Sequence, residues 1–252
     1  MTTARPGLAR WALLAVLLAV MPACRRDDPD AGRPASARGF PRADRASPSA
    51  DAPAFATEAL RDAQGEAREV MRLARIEPGM TVADIGAGEG YYTMRLAPAV
   101  GRKGRVLAED IDRAALARLG DRVTRERLDN ISIKQGDEAN PRLPAGSFDR
   151  VFLVHMYHEV REPYAFLWHL RPSLRPGGQV IVVDIDRPTA EHGIPPALLF
   201  CEFAAVGFRL GEFVRKPELT GYFARFEAVG PQPRPEDIRP CHERAKATGT
   251  AG

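Results

Sequence analysis

The stretch Thr81–Tyr92, TVADIGAGEGYY, constrains this chain more than any other. Thr81–Ile85 is a short apolar run between Gly79 and Gly86, the pattern of a strand buried on both faces of a parallel sheet. Gly86, Gly88 and Gly90 allow a sharp turn and a close approach of backbone to ligand. A helix-like run, Tyr91–Val100, follows and points free N–H groups back at the turn. Strand, glycine turn and helix N-terminus together make a nucleotide-type pocket.

The surrounding pattern is α/β. An amphipathic helix is expected over Thr57–Arg75, where Leu60, Ala63, Ala67, Val70, Met71 and Ala74 recur at helical spacing. Further strands are expected at Arg105–Glu109, Asn130–Gln135, Phe148–Val154, Gln179–Asp184 and Tyr222–Ala228. Helices are expected at Asp112–Leu128, Pro163–Leu170 and Pro196–Ala205, with a tight turn at Pro176–Gly178. Strands alternating with helices argue for βαβ units and a parallel sheet. Ligands in such sheets lie beyond the carboxyl ends of the strands. Gly86–Gly90, Asp110, Asp137 and His155–Glu159 all fall there.

The two ends differ in composition. Arg5 and Arg10 precede an apolar stretch, Trp11–Met21, which Pro22-Ala23-Cys24 follows. Its 11 residues are too few to span a bilayer comfortably and suit a signal h-region. Small Ala23 before Cys24 resembles a bacterial lipoprotein signal, although Met21 and Pro22 depart from that pattern. Residues 1–24 are expected to be a lipoprotein-like signal that anchors the chain to the membrane of the cell envelope. Residues 25–55, rich in Ala, Arg, Asp, Pro and Ser, are expected to be a disordered tether, and 231–252 a disordered tail. An inward-facing anchor, or a soluble cytoplasmic enzyme, stays open as an alternative.

The formal net charge is +3, but residues 55–230 carry 24 Lys+Arg against 25 Asp+Glu. A neutral core lacks the basic field of a nucleic-acid-binding surface. Cys24, Cys201 and Cys241 are far apart and form no CxxC, so neither a zinc knuckle nor a redox pair is indicated. Cys201, in an apolar run, reads as a small buried hydrophobe.

The glycine loop is not a phosphate loop, because no GxxxxGK[ST] run exists. It also departs from the dinucleotide pattern GxGxxG: the third glycine comes one residue early, and Tyr91 stands where that pattern wants Gly. Asp84, two residues before the first glycine, would repel a pyrophosphate and suit a cationic ligand. Asp110 lies where an acidic side chain takes ribose hydroxyls.

VADIGAGEG, Asp110 in VLAEDID, Gly136-Asp137, SFDRVFLVHMYHE and LRPSLRPGGQVIVVD together resemble the successive motifs of class I S-adenosylmethionine-dependent methyltransferases, over about Glu58–Glu227. The resemblance implies a Rossmann-like, doubly wound sheet of seven strands, mostly parallel with the last antiparallel, in a domain over 56–230. It implies S-adenosyl-L-methionine as cofactor. Gly86, Gly88 and Gly90 would line its methionine moiety, Asp84 its amino group, Asp110 its ribose and Asp137 its adenine. His155 would border the cofactor and the reacting centre. Asp110 is preferred to Glu109 by alignment; a one-residue slip would exchange them.

Methyl transfer from a sulfonium needs mainly alignment, with a base only where the acceptor arrives protonated. His158 and Glu159 are the candidate catalytic pair, base and orienter; a helix cap is the structural alternative. Asp184 and Asp186 close the fifth strand, and nothing in the sequence supports a metal site there. The expected activity is methyl transfer to a small-molecule or lipid-like acceptor. The rivals are a nicotinamide-dependent oxidoreductase and a non-catalytic S-adenosylmethionine-binding envelope protein.

Overall fold

The computed structural model describes residues 1–2, 30–48, 57–216 and 221–243. The chain divides into two units, Met1–Ala31 and Gly32–Gly252. Of the first only residues 1, 2, 30 and 31 are described, so the expected signal lies almost wholly outside the described residues. Among the described residues no helix is long and apolar enough to cross a membrane.

The second unit is a seven-stranded sheet of order β3-β2-β1-β4-β5-β7-β6. Its strands are β1 (Thr81–Ile85), β2 (Arg105–Asp110), β3 (Ile131–Gln135), β4 (Phe148–Val154), β5 (Leu174–Asp184), β6 (Phe208–Lys216) and β7 (Gly221–Ala228). Neighbours from β3 through β5 pair in parallel, and β7 runs antiparallel to both β5 and β6. This is the fold class that the motif series implies. Glycine turns and βα connections therefore collect at one edge, beyond the carboxyl ends of β1, β2, β4 and β5.

The two-residue period of the strands sorts the core into two layers. Ala83, Ile85, Val151, Leu153, Val180 and Val182 face one side. There they pack against α5 (Pro163–Leu170) and α6 (Pro196–Ala205). Val82, Phe152, Ile181 and Val183 face the other side, where α2 (Glu66–Leu73) and α3 (Tyr91–Val100) lie. Helix α4 (Arg113–Glu126) places Leu119 against Ala87 and Met94.

Several expectations need correction. The single helix over Thr57–Arg75 is two, α1 (Glu58–Ala63) and α2, because Gly65 turns left-handed at φ 68°. The break leaves Leu60 half exposed. Pro176–Gly178 is no tight turn: β5 runs through it, with a shift of register against β4 between Phe148 and Arg150.

The expected tether and tail are both partly ordered. Within 32–48, Arg33 makes two hydrogen bonds to Glu162 (2.9 and 2.6 Å), and Ala37 and Phe40 enter the core. In the tail, the Trp168 indole donates to Pro233 O (2.9 Å), and Ile238 is buried. The two segments meet in a bridge between Asp44 and His242. Composition had argued for disorder, but a few large or charged side chains per segment suffice once the core offers partners.

Cys201 is not a buried hydrophobe either. It is exposed on α6 and forms a disulfide with Cys241, 40 residues on. The two cysteines are 40 positions apart in the chain, a proximity no local spacing encodes.

Candidate active site

The glycine loop leaves β1 with Gly86, Gly88 and Gly90 all at positive φ (69°, 54° and 89°). At Gly90 a side chain would also collide with Leu119 Cδ1, 2.4 Å from where its Cβ would stand. Ala87 N–H donates to Glu109 O (3.0 Å), which ties the loop to β2. Gly88 N–H donates to Asp110 Oδ2 (2.8 Å), and Asp112 N–H to Oδ1 (2.9 Å). Each Asp110 oxygen keeps a lone pair for a further donor.

Adjacent residues of a strand face opposite sides, so Glu109 and Asp110 are not interchangeable. Glu109 is buried, and its Oε1 fills the space where a Cβ on Gly136 would stand, 1.3 Å away. Burial, with the charge of Asp110 beside it, pushes the Glu109 carboxyl up to about 8. Asp84 is buried as well and accepts from Thr93 Oγ1 (2.6 Å). Burial raises it to about 6 against the pull of that hydrogen bond. Three carboxyl groups thus surround one glycine turn. Two are held up by burial, a condition that a cation placed among them would relieve.

His155 closes β4 in the left-handed region at φ 53°, a conformation that costs a non-glycine residue energy and that clusters at functional sites. Its ring lies 3.6 Å from Glu66 Oε1. Glu66 is buried and also takes Arg61 (2.5 and 3.0 Å) and the Tyr92 hydroxyl (3.0 Å). Burial works to raise the Glu66 carboxyl, but the nearby His155 ring and the Arg61 hydrogen bonds outweigh it and hold it at about 2.

His158 lies on a short 3-10 turn, Tyr157–Glu159, and is 2 % exposed. Its orienting partner is not Glu159 but Asp184, whose two oxygens stand 2.9 and 3.1 Å from Nδ1. Asp184 is fully buried at the end of β5 and also accepts from Ile185 N–H (2.8 Å). Glu159 is half exposed, and its Oε1 lies 3.8 Å from the opposite ring atom, Nε2. Arg45 braces the turn, donating to the carbonyls of His158 (2.8 Å), Tyr157 (3.3 Å) and Val160 (2.7 Å).

Asp137 stands apart from the glycine cluster. Its carboxylate accepts from Ser36 Oγ (3.0 Å) and Ala139 N–H (3.1 Å) and meets Arg142 (3.3 Å). Burial opposes ionisation there, and those donors outweigh it, so the carboxyl lies below its usual range.

Residues 82–178 match the sequence model of a family described as "Methyltransferase domain". A solved structure of a SAM dependent methyltransferase from Aquifex aeolicus superposes with a TM-score of 0.58 at 24% identity, over 64% of this chain and 87% of that one. The fold is a methyltransferase fold. A [4+2]-cyclase, SpnF, shares it with a TM-score of 0.57 at 19% identity, over 73% of this chain and 70% of that one. The fold therefore does not decide the reaction. Among curated relatives, the ubiquinone/menaquinone biosynthesis C-methyltransferase UbiE of Coxiella burnetii is 29% identical over 150 residues. That match spans 57% of this chain and 57% of the relative.

Sequence reasoning singled out Asp84, Asp110, His155 and His158, each of which stands at a strand end on this edge. It missed Asp184 as the partner of His158, and it missed Glu66. The four aliphatic residues before Asp184 mark a buried strand, so a carboxylate closing it was the available signal. Glu66 gave none, since one Glu among the charges of a helix looks like any other.

Proposed function

We propose that this chain is an S-adenosylmethionine-dependent methyltransferase acting on a small-molecule or lipid-like acceptor. The observation that carries the reading is the glycine turn bordered by the carboxyl groups of Asp84, Glu109 and Asp110, acids that would repel a pyrophosphate. S-adenosylmethionine supplies a methyl group already activated on a sulfonium. In this reading Asp84 and the glycine loop hold its methionine part, Asp110 its ribose hydroxyls and Asp137 its adenine. His155, fixed by Glu66, borders the reacting centre. Where the acceptor arrives protonated, His158 Nε2 takes the proton, with Asp184 holding the ring and stabilising the imidazolium.

The name of the Coxiella relative points to an aromatic, quinol-like ring as the acceptor class. Calorimetry with S-adenosylmethionine and NAD tests the cofactor, and transfer of labelled methyl to extracted lipids tests the acceptor. Tight binding of NAD with none of S-adenosylmethionine would sink the reading. Cofactor binding without transfer to any extract would favour a non-catalytic role.

We further propose that the chain is exported and anchored through Cys24. The Cys201–Cys241 disulfide supports this, because such bonds persist in oxidising compartments and are rare in the cytosol. Fractionation of cells expressing Cys24→Ala is the test. Wild-type protein in the soluble cytosolic fraction would overturn it.

A further inference from the structure

The carboxyl ends of β4 and β5 carry more ligand atoms than a single base requires. His158 Nδ1 is engaged by Asp184, so the lone pair of the ring lies on Nε2. That atom is buried, and among the described residues it has no hydrogen-bond partner. A buried polar atom left in this way costs stability. Glu159 Oε1 is 3.8 Å from it. One ligand atom from each of His158, Glu159 and His192 lies within 4.8 Å of the others. The imidazoles of His158 and His192 meet at 88°, with centroids 5.8 Å apart. His192 is itself held by the backbone, in the left-handed region at φ 56°.

We propose that His158, Glu159 and His192 bind one divalent transition-metal ion of the zinc type, with at least one coordination position open. Two imidazoles and a carboxylate are a donor set that zinc accepts in open sites. Ligands at about 2.0–2.1 Å from a tetrahedral ion lie roughly 3.3 Å apart. The His158 Nε2 to Glu159 Oε1 distance of 3.8 Å closes to that by rotation of the half-exposed Glu159 side chain. Asp184 completes the arrangement. A carboxylate on the far nitrogen of a ligating histidine fixes its tautomer and its ring orientation. Fully buried Asp184 does this for His158.

The position of the cluster gives the ion a role. It sits at the ends of β4 and β5, and β4 pairs directly with β1, from which the glycine loop departs. An ion there would hold an oxygen of the acceptor and lower the pKa of its O–H, the proton leaving to solvent. The Nε2 lone pair cannot serve ion and proton at once, so with the ion bound, coordination replaces the base. That catalytic meaning rests on the methyl-transfer reading; the binding does not.

The test uses the untagged full chain, treated with chelator under non-reducing conditions so that the disulfide survives. Zn2+ is titrated by calorimetry, and Co2+ is followed by its visible ligand-field bands. One equivalent is expected, with affinity lowered at least tenfold in Glu159→Gln and in His192→Ala. Glu159 is half exposed, so Glu159→Gln should unfold at the wild-type temperature, which separates lost binding from lost folding. No Co2+ spectrum and no Zn2+ uptake, or affinities within twofold of wild type in both variants, would overturn the proposal. Metal uptake without methyl transfer would uphold this site and fail the activity; transfer by metal-free protein with no uptake would do the reverse.

Discussion

Glu109→Gln isolates the cost of the buried carboxyl at the loop. Glu109 is 2 % exposed, and its carboxyl is pushed up to about 8 from an ordinary 4.5. Between those values the folded chain keeps a proton that the unfolded chain gives up, so stability falls as pH rises through the window. Below 4.5 both states are protonated and the penalty vanishes; above 8 both are ionised and it is complete. At about 1.4 kcal/mol per tenfold change in the acidity constant, the full penalty is on the order of 5 kcal/mol, with about 3 kcal/mol present at pH 7. Glutamine has the same shape and does not ionise, and its carbonyl can keep the hydrogen bond from Gly86. Urea unfolding of both proteins at pH 5, 7 and 9, without reductant, should show the variant pulling ahead by those amounts. A gap between them that stays constant from pH 5 to 9 would refute the reasoning, since it would mean that Glu109 is ionised throughout.

Asp110→Ala should weaken S-adenosylmethionine binding by the loss of two charge-assisted hydrogen bonds, about 1.5–3 kcal/mol each, and unchanged affinity in calorimetry would show the wrong acid was assigned. Arg45→Ala leaves Glu202 buried without its ion-pair partner, now 3.0 Å away, and should cost about 3–5 kcal/mol in urea unfolding. Replacing both residues by apolar ones of similar volume should recover most of that; no recovery would place the loss in the Arg45 bonds to the 157–160 turn. Replacing Cys201 and Cys241 by Ser frees a loop spanning 40 residues and should lower stability by about 4 kcal/mol, read as the shift in urea midpoint; a smaller loss than 1 kcal/mol would argue against the bond.

The cofactor side of the site was legible because its signals are local. The left-handed turn of Gly86–Gly90 requires glycine, and the acids lie within a few residues of apolar runs that read as buried strands. The acceptor side was less legible. The pairing of His158 with Glu159 followed chain proximity, whereas the structure pairs it with Asp184, 26 residues on, across the β4–β5 register. The order in 32–48 and 231–243 was hidden for a related reason. Both segments are polar and proline-rich, and their contacts, such as Arg33 with Glu162 and Trp168 with Pro233, exist only once the segments fold back onto α5.

The sequence by itself determined the alternation of strands and helices, the parallel sheet and the loop that turns at Gly86–Gly90. Those features follow from hydrophobic period and from the freedom of glycine, which act over a few residues. Only the tertiary structure decided that Glu109 is buried against Gly136 while Asp110 takes the Gly88 N–H, which acid orients His158, and that Cys201 meets Cys241. Each depends on the register of strands or the return of a distant segment, where a shift of one residue exchanges a buried side chain for an exposed one.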